Sequence, residues 1–203
     1  MNFETIGFDF DQTLADSKSG ISSCLRTLSI EFNLAENTNQ INKLAVSGLA
    51  LEPMLKKLFD INDIEMQKER FLDLYPTLGI AGTELIPGAK GLIDYLANQG
   101  HRLVLISAKG QRNLELSVEH LGLRFDDVFG GASGVDKTRI MLENRTHLYV
   151  GDQLSDVIAA NAANAMAVLI AEDPAEIDFS IYPHKHFGSL KELRESISQL
   201  IKR

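Results

Sequence analysis

Two aspartates near the start of the chain, Asp9 and Asp11, are the residues whose type and spacing are best suited to chemistry. The segment from Thr5 to Phe10 is typical of a short apolar strand, and the two carboxylates come at its end. Because side chains at i and i+2 leave a strand on the same face, both are expected to project together. Two carboxylates so close are costly unless a cation or a shared proton offsets their charge. Hard oxygen ligands favour Mg²⁺; the competing interpretation is a strand that runs into an Asp-rich turn.

A second acidic pair, Asp152 and Asp156, follows the apolar run from His147 to Val150. Gly151 allows a tight turn at that point, and the four-residue spacing places both acids on one face if a helix begins there. The competing interpretation is that acidic residues favour a helix N-terminus through capping and the helix dipole. Two acidic pairs at strand ends are a stronger signal for a shared site than either pair alone.

Ser107 and Ala108 form a candidate anion site between the two acidic pairs. The apolar run from Leu103 to Ile106 predicts a strand that ends at Ser107, and the chain then turns into a helix. A hydroxyl and free backbone N–H groups at a strand-to-helix turn can bind a phosphate. The competing interpretation is that Ser107 only caps the helix.

Lys137 is the second candidate phosphate ligand. By itself it is a surface lysine, and only its place in the order of motifs favours another role. Its neighbour Asp136 is an alternative partner for it. Lys109 and Arg112 also stand near the expected site, and we interpret both as solvated surface charges.

The ordered set of these residues resembles the four motifs of the haloacid dehalogenase superfamily. The matching positions are Asp9-x-Asp11-x-Thr13, Ser107, Lys137 and Gly151-Asp152-x-x-x-Asp156. Within the superfamily, the chain is most similar to the phosphoglycolate-phosphatase-like branch, which carries a small helical cap of the C1 type after the first motif. The similarity runs almost from end to end.

The resemblance implies a role for each acid. Asp9 is implied as the nucleophile that forms an aspartyl-phosphate. Asp11 is implied as the acid that protonates the leaving group and as the base that then activates water. Mg²⁺ is expected on the Asp9 carboxylate, the Asp11 backbone carbonyl and Asp152. Asp156 and Thr13 are expected to support these ligands from outside, with Asp156 orienting a metal-bound water.

The resemblance also implies that Ser107, the backbone N–H of Ala108 and Lys137 bind the phosphoryl oxygens. Three positions depart from the family pattern. Gln12 stands where glycine is frequent, Ala108 replaces a common asparagine, and Thr138 follows Lys137 where proline is common.

The expected function is that of a Mg²⁺-dependent phosphatase acting on a small phosphorylated metabolite, such as phosphoglycolate, a sugar phosphate or a nucleotide. One alternative is a phosphomutase of the sugar-phosphate type, which Thr13 disfavours because the related mutases commonly carry valine there. Another is a binding or regulatory module that has kept the fold without turnover.

The elements that must position these residues indicate an α/β fold, with a Rossmann-like parallel sheet covered by helices on both faces. We expect a catalytic core from residues 1–15 and 86–203, and an inserted all-helical cap over residues 16–85. Apolar residues recur at helical spacing in that insertion, for example Leu51, Met54, Leu55, Leu58 and Phe59. In such sheets ligands bind beyond the carboxyl ends of the strands.

Composition narrows the class of partner. A net charge of −8 argues against nucleic acid, and no dense basic run favours a membrane surface. Cys24 is the only cysteine, so no intramolecular disulfide is expected. The start, Met1-Asn2-Phe3-Glu4, lacks the features of a leader, and no span of 18 apolar residues occurs, so the expected location is cytoplasmic. The oligomeric state stays open.

Overall fold

The computed structural model describes residues 4–34, 37–171 and 181–201. Strands and helices alternate after the first hundred residues, and a run of helices separates the first strand from them. In chain order the elements are β1 (Thr5–Phe8), β2 (Ala15–Asp16), α1 (Lys18–Glu31), α2 (Thr38–Ala45), α3 (Leu51–Phe59), α4 (Glu65–Leu74), a π-helical turn (Tyr75–Gly79), β3 (Glu84–Leu85), α5 (Ala89–Asn98), β4 (Arg102–Ile106), α6 (Gln111–His120), β5 (Asp127–Phe129), α7 (Val135–Glu143), β6 (Thr146–Gly151), α8 (Leu154–Ala162), β7 (Met166–Ile170), β8 (Lys185–Phe187) and α9 (Leu190–Leu200).

The central sheet of the described residues has six strands in the order β5-β4-β1-β6-β7-β8, and every pairing in it is parallel. Strand β1 lies between β4 and β6, with Ile6 opposite Leu103 on one side and Leu148 on the other. The central strands are buried apolar runs, as expected for a parallel sheet covered on both faces. The structure therefore confirms the predicted α/β class.

Helices cover both faces of this sheet. On one face Phe8 and Leu105 belong to an apolar cluster that includes side chains of α5 and α9. On the other face Ile106 and Tyr149 belong to a cluster with side chains of α7 and α8. Burying each face against helices removes apolar surface from water and fixes the direction in which the strand ends point.

The inserted helices surround an apolar cluster of their own. Helices α1 to α4 and the π-helical turn share this cluster, which includes the fully buried Leu25, Leu28, Ile41 and Leu55. The short strands β2 and β3 pair antiparallel where the chain leaves and re-enters the sheet layer. These helices lie within the segment predicted as the cap, and its division from the core at residues 16 and 85 stays a prediction.

The backbones of α1 and the π-helical turn meet closely beside this connection. A Cβ atom on Gly20 would lie 2.1 Å from the Gly79 carbonyl oxygen, so no larger residue fits there without displacing backbone. Thr83 Oγ1 donates a hydrogen bond to the same carbonyl at 2.8 Å. The return strand β3 is therefore tied to the last inserted helix.

Across the residues that the structure describes, no helix has the length and apolar character needed to span a membrane. Two sequence-based expectations extend beyond those residues. Met1, Asn2 and Phe3, in the segment examined for a leader, lie outside them, as do residues 202–203 at the end of the expected C-terminal helix.

Candidate active site

The carboxyl ends of three neighbouring strands carry the residues that the sequence singled out. Asp9 follows β1, Ser107 follows β4, and Asp152 follows β6, and these strands are adjacent in the sheet. The Asp9 N–H donates to the Val150 carbonyl at 2.8 Å, which carries the β1–β6 ladder into the site. Residues separated by more than a hundred positions are therefore brought to one edge.

Three carboxylates converge there. Asp9, Asp152 and Asp156 each offer an oxygen, and these oxygens all lie within 4.8 Å of one another. Burial raises the pKa of Asp9 to about 6, with Lys137 opposing this rise. Burial, reinforced by Asp9 and Asp156, raises the pKa of Asp152 to about 8. The protein thus holds negative charges close together in a place where water does not screen them well.

Lys137 is buried among these acids. Its Nζ lies 3.0 Å from Asp9 Oδ1 and 2.6 Å from Asp156 Oδ1. Burial alone lowers the pKa of this lysine, but the neighbouring carboxylates, Asp9 first, raise it well above the usual range. Lys137 is therefore a permanent cation in the site. Asp136 was the alternative partner for Lys137 in the sequence analysis. Its Oδ1 instead lies 3.4 Å from Arg139 Nη2.

Asp156 is held by the protein through both of its oxygens. Oδ1 accepts a hydrogen bond from Lys137, and Oδ2 accepts one from the Gln153 N–H at 3.2 Å, in the capping box that begins α8. A Cβ atom on Gly151 would lie 2.4 Å from the Asp156 Cβ, so glycine is needed there for the acid to approach. Because both oxygens of Asp156 accept hydrogen bonds, the carboxylate oxygens of Asp9 and Asp152 are more available to bind a cation.

Thr13 supports Asp152 across the site. Its buried Oγ1 donates a hydrogen bond to Asp152 Oδ1 at 2.9 Å. The loop that carries Thr13 turns tightly, because the Phe10 carbonyl accepts the N–H groups of both Leu14 and Ala15. Gln12 occupies the left-handed region at φ 61°, a conformation that glycine adopts without strain.

The residues present fit Mg²⁺. Asp9 Oδ1 and Asp11 Oδ1 are buried and accept no hydrogen bond within the described ranges, although a lysine Nζ stands near each at ion-pair distance. A hard divalent cation would offset the clustered charge and satisfy such oxygens. The Asp11 side chain does not belong to the three-carboxylate cluster, and the resemblance assigns only its backbone carbonyl to the metal.

Ser107 and Ala108 line a cavity above the acids. The Ser107 N–H is held by the Phe129 carbonyl at 2.9 Å, and its Oγ accepts a hydrogen bond from the Lys109 N–H at 3.3 Å. The Ser107 hydroxyl is buried but faces the same cavity as Asp9. The turn after β4 thus forms part of the cavity wall, and the binding of an anion there stays a prediction.

Lys109 is where the sequence-based interpretation was wrong. Its side chain is 5% exposed, and its Nζ lies 3.1 Å from Asp11 Oδ1 and 2.6 Å from Tyr75 Oη. Burial lowers the pKa of this lysine, but Asp11 and Tyr75 together raise it above the usual value. Tyr75 comes from the π-helical turn, so no local pattern around Lys109 could reveal the contact. Arg112 is exposed, as expected.

The cavity lies between the strand ends and the inserted helices and has a volume of about 340 Å³. Helix-borne apolar side chains form much of its far side. Gly48, at φ +65°, also lines it, and a Cβ atom there would lie 2.3 Å from Gln153 Nε2. The lysines of α2 and α3, Lys43, Lys56 and Lys57, do not line it.

A carboxylate centre with a buried lysine, at the strand ends of a parallel sheet and beneath inserted helices, defines a hydrolytic class of α/β protein. The family model described as haloacid dehalogenase-like hydrolase matches residues 6–170. The chain therefore belongs to the haloacid dehalogenase-like hydrolases, and the resemblance drawn from its motifs is confirmed.

Curated relatives lie in the phosphoglycolate-phosphatase-like branch. The chain is 26% identical over 192 residues to a phosphoglycolate phosphatase of Haemophilus influenzae (strain 86-028NP), covering 82% of this chain and 84% of that protein. It is 28% identical over 214 residues to one from Cereibacter sphaeroides, covering 96% and 97%. A haloacid dehalogenase-like family hydrolase from Streptococcus pneumoniae shares the fold with a TM-score of 0.80, at 18% identity and with 96% and 98% covered.

Proposed function

We propose that this protein is a Mg²⁺-dependent phosphatase that hydrolyses a small phosphate monoester. The observation that carries the proposal is the environment of Asp9. Its carboxylate lies at the base of the cavity, one of its oxygens accepts no hydrogen bond from the described residues, and Lys137 and Asp152 lie beside it. An anionic nucleophile placed so needs cations to meet an anionic substrate, and the site supplies a lysine and the ligands for a metal.

In the proposed reaction an Asp9 oxygen attacks phosphorus in line, forming an aspartyl-phosphate while the ester P–O bond breaks. Asp11 donates its proton to the departing alkoxide oxygen. The same carboxylate then takes a proton from the water that attacks the aspartyl-phosphate, which releases inorganic phosphate and restores Asp9. The position of Asp11 on the cavity wall, two residues after the nucleophile, suits both proton transfers.

Asp9, Asp152 and the Asp11 carbonyl would hold Mg²⁺, and Thr13 and Asp156 would keep these ligands oriented. When bound, Mg²⁺ supplies positive charge that neutralises the phosphoryl oxygens in the transition state. Lys137 stabilises the same charge from the other side of Asp9. The Ser107 hydroxyl and the Ala108 N–H are proposed to bind the remaining phosphoryl oxygens.

Phosphoglycolate is the first substrate to test, because the curated relatives are named phosphoglycolate phosphatases. The assay measures phosphate release from a panel of small esters with and without Mg²⁺, for the wild type and for Asp9→Asn. We expect release that requires Mg²⁺ and is abolished by Asp9→Asn. Asp136→Asn is the matched control, since this acid is exposed beside Lys137 and pairs with Arg139.

Two results would contradict the proposal. Equal release by wild type and Asp9→Asn would exclude Asp9 as the nucleophile. An absence of release from every ester would favour the phosphomutase or a module without turnover.

A further inference from the structure

The two sides of the cavity differ in charge. Among the described residues, every charged residue that lines the cavity comes from the sheet side, that is, from the strand ends, their loops and the first turns of α7 and α8: Asp9, Asp11, Lys109, Lys137 and Asp156. The side formed by the inserted helices, called here the cap wall, contributes no charged residue within the described ranges. Its members are largely apolar and include Ile21, Leu44, Leu49, Met54, Phe71 and Leu72.

The polar groups of the cap wall are already engaged. Ser47 Oγ donates to the Leu44 carbonyl at 2.7 Å, and Tyr75 Oη lies 2.6 Å from Lys109 Nζ. The two lysines of the cavity are also paired, Lys137 with Asp9 and Asp156, and Lys109 with Asp11. A second anionic group on a substrate would therefore meet carboxylates and apolar surface without a free cation to receive it.

Asn113 differs from the other buried, uncharged polar side chains of the lining, because Ser107 and Tyr75 have hydrogen-bond partners among the described residues. It lies on α6, is only 4% exposed and lines the cavity. No described residue forms a hydrogen bond with its side-chain amide, although its backbone carbonyl accepts one from Ser117 Oγ. A buried carboxamide normally has a partner, because leaving it unsatisfied costs free energy. Its position in the cavity wall makes a bound ligand the natural partner.

We propose that the preferred substrate is a phosphate monoester in which the phosphoryl group is the only anionic group, and whose leaving group is uncharged and mainly apolar, with one hydrogen-bonding group that Asn113 recognises. This inference rests on the proposed phosphatase function and adds the substrate class to it. The apolar part of the leaving group packs on the cap wall, where its burial is favourable. The carboxamide can donate to a carbonyl or hydroxyl or accept from an N–H.

Three esters with a common leaving carbon test the proposal: phosphoglycolate, its primary amide, and its N-benzyl amide. The first step replaces the carboxylate by an uncharged amide, and the second adds apolar surface. We expect kcat/KM with Mg²⁺ to rise at each step, by about tenfold or more on addition of the ring. A higher kcat/KM for phosphoglycolate than for both amides would overturn the inference while leaving the phosphatase function intact. No hydrolysis of any ester, 4-nitrophenyl phosphate included, would overturn both.

Asn113→Leu tests the recognition residue. It keeps the approximate volume and removes the hydrogen-bonding group, so kcat/KM for the N-benzyl amide should fall about three- to tenfold. Hydrolysis of benzyl phosphate, which offers no group to the carboxamide, should fall less than that of the N-benzyl amide, and the ratio of the two kcat/KM values separates recognition from structural damage. An equal loss for both esters in a variant with unchanged melting temperature would contradict the role of Asn113. If the variant does not fold, the wild-type series alone decides the substrate class.

Discussion

The cavity has two sides that differ in their side chains. The strand-end side carries the charged residues Asp9, Asp11, Lys109, Lys137 and Asp156, whereas the cap wall is largely apolar. On the strand-end side, buried charges are paired over distances of 2.6–3.1 Å, and the sheet fixes their positions. On the cap wall, apolar side chains from four helices meet the cavity through a cluster that is separate from the sheet's own. We expect the phosphoryl chemistry to depend on the strand-end side and the choice of leaving group to depend mainly on the cap wall, with Asn113 of α6 as the exception.

The largest expected effect comes from removing the central cation of the strand-end side. Lys137→Met should lower kcat by about 10²–10³, because Asp9 and Asp156 then face each other without a neutralising charge and the phosphoryl group loses a ligand. Initial rates of phosphate release at saturating substrate measure it. Lys90→Met, an exposed lysine paired with Asp94, is the control. A change of less than threefold would show that the metal alone neutralises the site.

Asp152→Asn tests whether the clustered negative charge destabilises the folded protein when no metal is bound. The pKa of Asp152 is raised by burial to about 8, so the folded state binds more protons than the unfolded state between about pH 4 and 8, and stability falls as pH rises through that window. Without metal, the variant should melt at least about 2 °C above the wild type at pH 8.5. The difference should vanish near pH 4.

The effect of Mg²⁺ on the melting temperature is a second test of Asp152. It should raise the melting temperature of the wild type and not that of Asp152→Asn, because the cation loses a charged ligand. Both effects are measured by thermal unfolding without Mg²⁺ and at about 10 mM Mg²⁺, a concentration that exceeds ordinary dissociation constants. A wild type that is indifferent to Mg²⁺ at every pH would contradict the metal assignment.

Lys109 joins the two sides, so changing it tests how far they are independent. Lys109→Met removes the ion pair with Asp11 and the contact with Tyr75, and kcat should fall about tenfold because the acid is no longer held in place. Arg112→Met, in the same segment but exposed, should behave as the wild type. A loss as large as that of Lys137→Met would mean that Lys109 contacts the phosphoryl group itself.

The smallest expected effect adds charge to the cap wall. Val46 lines the cavity and is 38% exposed, so a lysine side chain at this position can reach the cavity while its ammonium group stays in contact with solvent. Val46→Lys should raise kcat/KM for phosphoglycolate about threefold, in keeping with a partly exposed ion pair. Val46→Thr controls for shape. If kcat/KM for phosphoglycolate were unchanged while that for benzyl phosphate fell, the carboxylate would not approach this wall.

The two buried lysines show what the sequence could predict. Lys137 was placed by the order of motifs along the chain, and the structure brings it to Asp9. Lys109 was taken for a surface charge, because its partner Tyr75 lies 34 residues away in the insertion, where helical spacing predicts a helix but not which side chain reaches the core. The sheet was predictable since apolar runs mark buried parallel strands. The first strand ends at Phe8 rather than Phe10, and the acids follow it in the loop.

The cap wall was not predictable for a related reason. Leu44 and Phe71 lie in different helices, and their meeting at the cavity depends on how four short helices pack. Asn113 gave no signal either, since an asparagine in an amphipathic helix is ordinary until its surroundings are known. Local patterns predict elements, whereas the lining of a cavity depends on their assembly.

The π-helical turn at Tyr75–Gly79 sets the rotational phase between the last inserted helix and the return strand. A π-helical turn contains about one residue more than the equivalent α-helical turn. Deleting Thr77 alone would restore an α-helical repeat, in which Tyr75 and Gly79 are separated by three steps, or about 300° of rotation. This is close to the nearly full turn that the π-helical segment covers, so Tyr75 should still face Lys109. The insertion can thus lose the extra residue of this turn without being disconnected from the acid site, and we expect a one-codon deletion of Thr77 to keep the contact between Tyr75 and Lys109.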